Sequence, residues 1–134
     1  MKLVDTNILM YAAGEEHANK AASVALLERI ARGQDDATID AEVLQEVLHR
    51  YRAIGRWAEG KRVYDMARVI FPVVLPITVK VMDRARLVMD RRMGMMARDA
   101  LHAAVVLTEK LDGIYSYDTD LDGIPGVERL VPGA

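Results

Sequence analysis

The sequence lacks cysteine, a strong charge imbalance and any long apolar run. Without cysteine, no thiolate can bind a metal ion, and a reducing cytoplasm is the compartment we expect. No stretch approaches the roughly 20 consecutive apolar residues that cross a bilayer, so we expect no membrane association. The opening residues, Met1 to Asp5, carry one base and one acid and do not resemble a secretory leader.

Basic charge and aromatic rings are also scarce. The formal net charge is −2, which excludes a strongly basic protein that coats nucleic acid. One Phe, one Trp and five Tyr leave no obvious platform for stacking bases. Five arginines are concentrated in one region: Arg84, Arg86, Arg91, Arg92 and Arg98. We expect them to form a solvated helix face, with phosphate binding as the alternative.

What the sequence does have is a regular alternation of short apolar runs and amphipathic stretches. Its 134 residues predict one domain, residues 1–134. The apolar runs predict strands at residues 2–4, 37–39, 73–77, 113–117 and 127–131. Helical spacing predicts helices after Asp5 and at residues 19–32, 41–54, 56–70, 78–92 and from 98 onwards. Such alternation is typical of an α/β fold, a three-layer α/β/α sandwich with a central parallel sheet of about five short strands.

Four carboxylates fall near the predicted carboxyl ends of the strands. Asp5 and Asp118 follow the first and fourth strands, Glu46 lies in the helix after the second, and Asp99 opens the helix before the fourth. Ligand and reaction sites of open parallel sheets form at this edge. We therefore expect the four side chains to share one cleft.

A cluster of carboxylates is unfavourable unless cations or protons neutralise it. Oxygen ligands without Cys or a matched His pair favour Mg²⁺ or Mn²⁺ over Zn²⁺. Such ions activate water and stabilise the leaving oxygen of a phosphodiester, which predicts hydrolytic cleavage of a nucleic acid.

Each acid also has a purely structural interpretation. Asp5 could cap the first helix, and Asp99 could interact with the positive end of its own helix. Glu46 lies outside the apolar stripe of its helix and could be a solvated surface residue. Asp118 could belong to a polar turn.

Two further features are interpreted as structural. His102 is predicted to be a packed or hydrogen-bonded histidine rather than a general base. The methionines between Met82 and Met96 are predicted to fill the core rather than to form a binding surface.

Four segments together resemble the PIN-domain family, and specifically its VapC-type toxins. They are VDTNILMYA, ATIDAEVLQEVLHRY, ARDALHAA and YSYDTDLDGIPGVERL. The segments occur in the family's order and span the chain. The first and third segments, taken together, are fairly specific for this family.

The resemblance implies a compact α/β/α sandwich and a Mg²⁺- or Mn²⁺-dependent endoribonuclease. Its catalytic and metal-binding acids would be Asp5, Glu46, Asp99 and Asp118. Asn7 and Ser116 would be polar supports of the cleft, and Asp120 an additional acid. RNA is the implied substrate, and a cognate antitoxin and a second copy of the chain are the implied partners.

The sequence departs from the family pattern at three positions. Ser116 stands where the family often has Thr, Leu121 where it often has Phe, and Asp40 where a Ser often begins the helix that carries Glu46. These departures leave open whether Asp120 or Asp122 is the auxiliary acid.

Three other functions remain open at this point. One is a PIN nuclease of RNA processing that has no antitoxin, and another is a non-catalytic module that binds RNA or protein. A phosphatase with Asp5 as nucleophile is disfavoured, because the second Asp expected two residues later is Asn7.

Overall fold

The computed structural model describes residues 1–133; the last residue of the predicted domain 1–134 lies outside that range. The strands are β1 (Lys2–Val4), β2 (Ala37–Asp40), β3 (Val74–Leu75), β4 (Ile114–Tyr115) and β5 (Arg129–Leu130). The helices are α1 (Thr6–Ala13), α2 (Lys20–Ala31), α3 (Ala41–Ala53), α4 (Trp57–Ile70), α5 (Val79–Asp90) and α6 (Ala97–Glu109). A short 3₁₀ turn, Thr119–Leu121, follows β4.

The five strands form one parallel sheet in the order β3-β2-β1-β4-β5. The predicted α/β class and parallel pairing are therefore confirmed. The strand beside Pro76 lies at an edge, as its proline predicts. With β1 at the centre, the residues that follow β1, β2 and β4 meet at the same edge of the sheet.

Helices cover both faces of this sheet and create two apolar cores. One core packs α1 to α4 against the sheet, and the other packs α5 and α6 against its opposite face. Helix α6 is buried from Asp99 to Val106 because apolar side chains surround most of its circumference. Its single carboxylate within that stretch is thereby held inside the protein near the carboxyl edge.

Side-chain caps fix the starts of α1 and α3 at that edge. Asp5 accepts a hydrogen bond from the backbone N–H of Thr6, and Asp40 accepts one from the N–H of Val43 at 3.0 Å. The capping interpretation of Asp5 is thus correct, and it does not conflict with a role in a site. Each cap places a carboxylate at the end of a central strand.

Some details of the sequence-based prediction are wrong. The strand predicted at 73–77 comprises only Val74–Leu75, because the flanking Pro72 and Pro76 have no N–H for the sheet. The strands predicted at 113–117 and 127–131 are likewise reduced to two residues each. No helix within residues 1–133 combines the length and apolarity needed to cross a bilayer.

The prediction that the methionines between Met82 and Met96 fill the core is also wrong. Four of the five are exposed: Met82, Met89, Met93 and Met96. Only Met95 packs partly against the core. Helix α5 buries a narrow stripe through Val81, Ala85 and Val88, so its remaining side chains face solvent.

Candidate active site

Asp5 lies at the centre of the carboxyl edge and is almost fully buried. Its Oδ1 accepts the N–H of Thr6 at 2.7 Å, and its Oδ2 accepts the hydroxyl of Ser116 at 2.6 Å. Burial raises the pKa of Asp5 above its ordinary value, partly opposed by the neighbouring His102 and by the Ser116 hydrogen bond. The carboxylate is therefore held in one orientation by donors from two elements.

Asn7 and Ser116 form a polar bridge between α1 and the segment after β4. The amide of Asn7 donates to Ser116 Oγ at 3.1 Å and to Asp5 Oδ2 at 3.3 Å. Ser116 Oγ also accepts the backbone N–H of Asp118 at 3.0 Å. Both residues that the resemblance assigns as supports thus contact Asp5 directly, and Ser116 links Asp5 to the loop that carries Asp118.

Asp99, Asp118 and Asp120 form an acidic group beside Asp5. One carboxylate oxygen from each lies within 4.8 Å of the others. Asp99 is buried, Asp118 is half-buried and Asp120 is exposed. Burial, followed by the charges of Asp118 and Asp5, raises the pKa of Asp99 to about 6. Such mutual repulsion is what a cation at this position would relieve.

Asp120 and Asp122 differ in what they contact. The backbone N–H of Asp120 donates to the Asp118 carboxylate at 2.9 Å. The Asp120 side chain lies beside those of Asp99 and Asp118. Asp122 instead forms a bidentate ion pair with Arg129, whose Nε and Nη2 donate to the two carboxylate oxygens at 2.7 and 3.1 Å. Of the two, Asp120 is therefore the acid available to the cluster.

Glu46 is buried, with only 7% of its surface exposed, so the interpretation as a solvated surface residue is wrong. It lies on the side of α3 that faces α6 and approaches Asp5 and His102. Burial alone would raise the pKa of Glu46, but His102, Thr6 and Arg98 lower it to about 2. Glu46 therefore stays ionised over the physiological range.

Two arginines lie outside Glu46, on the solvent side. Arg50 approaches its Oε1 at 3.5 Å and Arg98 at 3.8 Å. Of the other clustered arginines, Arg86 pairs with Asp90, and Arg92 donates to the backbone oxygen of Asp120 at 3.1 Å. Four of the five clustered arginines are exposed, as a solvated surface predicts, but they lie on α5, the turn after it and α6 rather than on one helix face.

His102 lies beneath the acids and is fully buried. Its Nδ1 lies 2.7 Å from Asp40 Oδ2, while Nε2 faces Asp5 Oδ1 at 3.6 Å and Glu46 Oε2 at 4.0 Å. Burial alone would lower the pKa of His102, but Asp40, Glu46 and Asp5 together raise it well above its ordinary value. The prediction of a hydrogen-bonded histidine is confirmed.

Asp40 is the site residue that sequence reasoning missed, because the sequence pattern identifies it only as a strand end and helix start. It is completely buried, and it caps α3 with one oxygen while binding His102 with the other. A signal was available: Asp40 ends β2 as Asp5 follows β1, so both lie at the same edge. The Asp in place of a capping Ser adds a second acceptor for the histidine.

The donor set suits a hard divalent cation. Asp5 and Glu46 form one group with His102, and Asp99, Asp118 and Asp120 form the second. The charge of Asp5 contributes to the raised pKa of Asp99, so the two groups belong to one cluster. Carboxylate oxygens are the ligands that hard divalent cations prefer. A model of the PIN domain matches residues 2–127.

The chain belongs to the PIN-domain family. Its relatives include a VapC ribonuclease of Mycobacterium bovis, 39% identical over 130 residues, which cover 97% of this chain and 99% of the relative. Ribonuclease VapC23 of Mycobacterium tuberculosis is 31% identical over 121 residues, 90% of this chain and 95% of the relative. The family resemblance inferred from the four segments is therefore confirmed.

Solved structures share the PIN fold at low sequence identity. VapBC2 from Rickettsia felis, bound to a DNA fragment from its promoter, contains a chain with a TM-score of 0.78 and 15% identity, with 98% of both chains covered. For FitAcB from Neisseria gonorrhoeae, the TM-score is 0.74 and the sequence identity is 17%, again with 98% of both chains covered. For a chain of a toxin-antitoxin complex from Klebsiella pneumoniae, the TM-score is 0.66 and the sequence identity is 20%, with 96% of both chains covered. These likenesses support the α/β architecture.

Proposed function

We propose that this PIN-domain chain is an endoribonuclease that hydrolyses RNA phosphodiester bonds with Mg²⁺ or Mn²⁺. The observation that carries the proposal is the convergence of Asp5, Glu46, Asp99 and Asp118 at one edge of the sheet. Relatives that align over nearly the whole chain are named ribonucleases, which supports RNA as the substrate.

The surroundings of each side chain indicate the role that we propose for it. Asp5, Asp99 and Asp118 would hold the cation, with Glu46 beside them and Asp120 as an auxiliary ligand at the solvent side. When bound there, a divalent ion supplies water activation and neutralises charge at the phosphate. Ser116 and Asn7 fix the Asp5 carboxylate through the hydrogen bonds at its Oδ2. Arg50 and Arg98 lie where an approaching phosphate would meet positive charge.

The biological role we infer is that of the toxin in a toxin-antitoxin pair in the cytoplasm. The similar folds in Klebsiella pneumoniae and Rickettsia felis come from a toxin-antitoxin complex and from VapBC2, which supports an antitoxin as partner. A PIN nuclease of RNA processing has no specific observation in its favour. A non-catalytic module would not explain why four acids lie together, although their mutual repulsion is unfavourable and raises the pKa of Asp99.

Purified protein should cleave total RNA in Mn²⁺ and lose that activity in EDTA and in Asp5→Asn. Asn caps helices as well as Asp does, so the variant should keep α1 and the fold. Asp83→Asn, which neutralises an exposed acid on α5 away from the cluster, is the matched control and should cleave like the wild type. Gel analysis of the RNA, with circular dichroism for folding, makes the measurement. Cleavage that survives EDTA, or an Asp5→Asn variant as active as the control, would contradict the proposal.

A homodimer is the second assembly we propose. Exposed apolar side chains on and after α5 support it: Val79, Leu87, Met93 and Met96. Leu87 also lines a cavity of about 400 Å³, whose other lining residues are apolar, among them Leu107 and Ile124, or are the arginines Arg84, Arg91 and Arg92.

We expect Leu87→Glu to convert a dimer into a monomer of 14.9 kDa, measured by light scattering. A buried charge at the centre of an apolar interface is unfavourable, which is the reason for the expected loss. Val69→Glu, at an apolar and more exposed site in the opposite helix layer, is the control and should stay dimeric. A wild type that is monomeric, or a Leu87→Glu variant that remains dimeric, would rule this interface out.

A further inference from the structure

Three aromatic side chains, one of them distant in sequence from the other two, meet beside the acidic cluster. Tyr11 is on α1, His17 follows α1, and Tyr117 lies between Ser116 and Asp118. The rings of Tyr11 and His17 are 4.6 Å apart and tilted by 33°, and those of Tyr11 and Tyr117 meet edge to face at 5.3 Å. The scarcity of aromatics predicted no stacking platform, but the fold brings these three rings together.

Two of these rings, Tyr11 and His17, line a cavity of about 490 Å³ together with Asn7 and Arg50. The cavity adjoins the candidate active site through two of these residues. Asn7 donates to Asp5 and Ser116, and Arg50 lies 3.5 Å from Glu46. A strand that places a phosphate at the acids therefore has a neighbouring nucleotide within reach of the cavity.

The two rings beside Tyr11 are held by hydrogen bonds near the start of α2. The Tyr117 hydroxyl donates to the carbonyl of Asn19 at 3.3 Å, and His17 Nδ1 accepts the N–H of Asn19 at 3.0 Å. Within residues 1–133, the hydroxyl of Tyr11 makes no such bond. Tyr11 thus contributes its ring to the cavity wall, and its hydroxyl is not needed to hold it.

The charges around the cavity select a base rather than a phosphate. Glu15 and Glu16 lie on the outer side and are exposed, so they repel phosphate there. Carboxylates do accept hydrogen bonds from the exocyclic amino groups of bases. Arg50, on the side of the acids, attracts the backbone instead. The arrangement suits a base directed into the cavity and a backbone directed towards Glu46.

We propose that this cavity is a nucleobase site, in which Tyr11 stacks on a base of single-stranded RNA next to the bond that is cut. The site rests on the proposed ribonuclease function and adds to it a residue that determines substrate binding and sequence preference. Stacking on an aromatic side chain is a common way to hold single-stranded nucleic acid.

Tyr11→Leu and Tyr11→Phe test the site on fluorogenic single-stranded oligoribonucleotides that the wild type cuts in Mn²⁺. Leu should raise KM by about 5- to 150-fold, since a base stacked on an aromatic ring contributes that range of affinity. Phe keeps the ring and should restore the wild-type KM. The Mn²⁺ affinity, measured by electron paramagnetic resonance, should be the same in all three proteins. Tyr64→Leu, a half-buried tyrosine on α4, is the matched control and should leave KM unchanged.

Oligonucleotides that carry one abasic position at a time give a second measurement, whose first part uses only the wild type. The wild type should lose affinity at one position beside the cleaved bond, and Tyr11→Leu should lose nothing further there. The proposal would be overturned if no abasic position changed the affinity of the wild type, or if a folded Tyr11→Leu variant had an unchanged KM. Either result would favour a peptide partner as the ligand of the cavity. Absence of Mn²⁺-dependent cleavage by the wild type would instead contradict the proposed function itself.

Discussion

Asp99→Asn is expected to abolish Mn²⁺-dependent cleavage and, at the same time, to stabilise the metal-free fold. Loss of activity should reach at least two orders of magnitude, because changes to residues that merely support a metal ligand already cost about 10- to 100-fold. Stability should rise because Asp99 is buried beside Asp118 and Asp5, and its carboxylate repels both. Opposite effects on activity and stability are typical of a residue kept for function.

The pH dependence of this stabilisation has a defined sign. The pKa of Asp99 is about 6 in the folded chain against an ordinary value of 3.8. Between these values the folded state binds more protons than the unfolded state, so the destabilisation by Asp99 is full above about pH 6 and disappears below about pH 4. The gain from Asn should be about 1–3 kcal/mol near pH 8 and should vanish near pH 4.

Urea unfolding of the wild type and Asp99→Asn in EDTA at both pH values measures this gain. Glu46 has a lowered pKa and destabilises the fold in acid, but it is present in both proteins and cancels in the difference. Asp83→Asn, the exposed control, should change the unfolding free energy little at either pH. An Asp99→Asn variant that is less stable than the wild type near pH 8, or that still cleaves at the wild-type rate, would remove Asp99 from the site.

The order of strands and helices was predictable because each element carries its own local pattern. Apolar runs, caps and breaking prolines are properties of neighbouring residues, and parallel connection places every strand end at the same edge. Asp5 and Asp118 could therefore be assigned to one cleft from the amino-acid sequence alone. The metal ligands proposed from them depend on that topology and on the family resemblance.

Burial that depends on a distant element was not predictable in the same way. Glu46 lies off the apolar stripe of α3, and it is buried only because α6 brings His102 and Arg98 next to it. The methionines of α5 and the following turn show the converse, since helical periodicity does not reveal that only one narrow face of α5 is covered. The rings of Tyr11 and Tyr117 likewise meet only after the sheet has formed.

The contact between His102 and Asp40 is the clearest case, because the two residues are 62 positions apart. Neither residue has a pattern that identifies the other, although each has a reasonable interpretation on its own. In the folded chain both side chains are completely buried, and His102 Nδ1 lies 2.7 Å from Asp40 Oδ2. The pair therefore links the strand end of β2 to α6 directly beneath the acids.

His102→Leu should lower the free energy of unfolding by about 3–5 kcal/mol, because it leaves the buried Asp40 carboxylate without its partner. The double variant Asp40→Ser/His102→Leu should recover much of that loss. Ser keeps the cap on Val43 and removes the buried charge. Because the pKa of His102 is raised, the contribution of the pair is full at and below pH 6.5 and is lost as the pH rises through the folded value.

Urea unfolding in EDTA at about pH 6.5, the ordinary pKa of histidine, compares the wild type with the single and double variants. The two changes should be strongly non-additive, since they remove the two halves of one interaction. Leu48→Ala, on the half-buried side of α3, controls for simple loss of packing and should be additive with His102→Leu. If the double variant is no more stable than His102→Leu alone, the loss comes from packing around the ring or from its charge beside Asp5 and Glu46, and not from the Asp40 carboxylate.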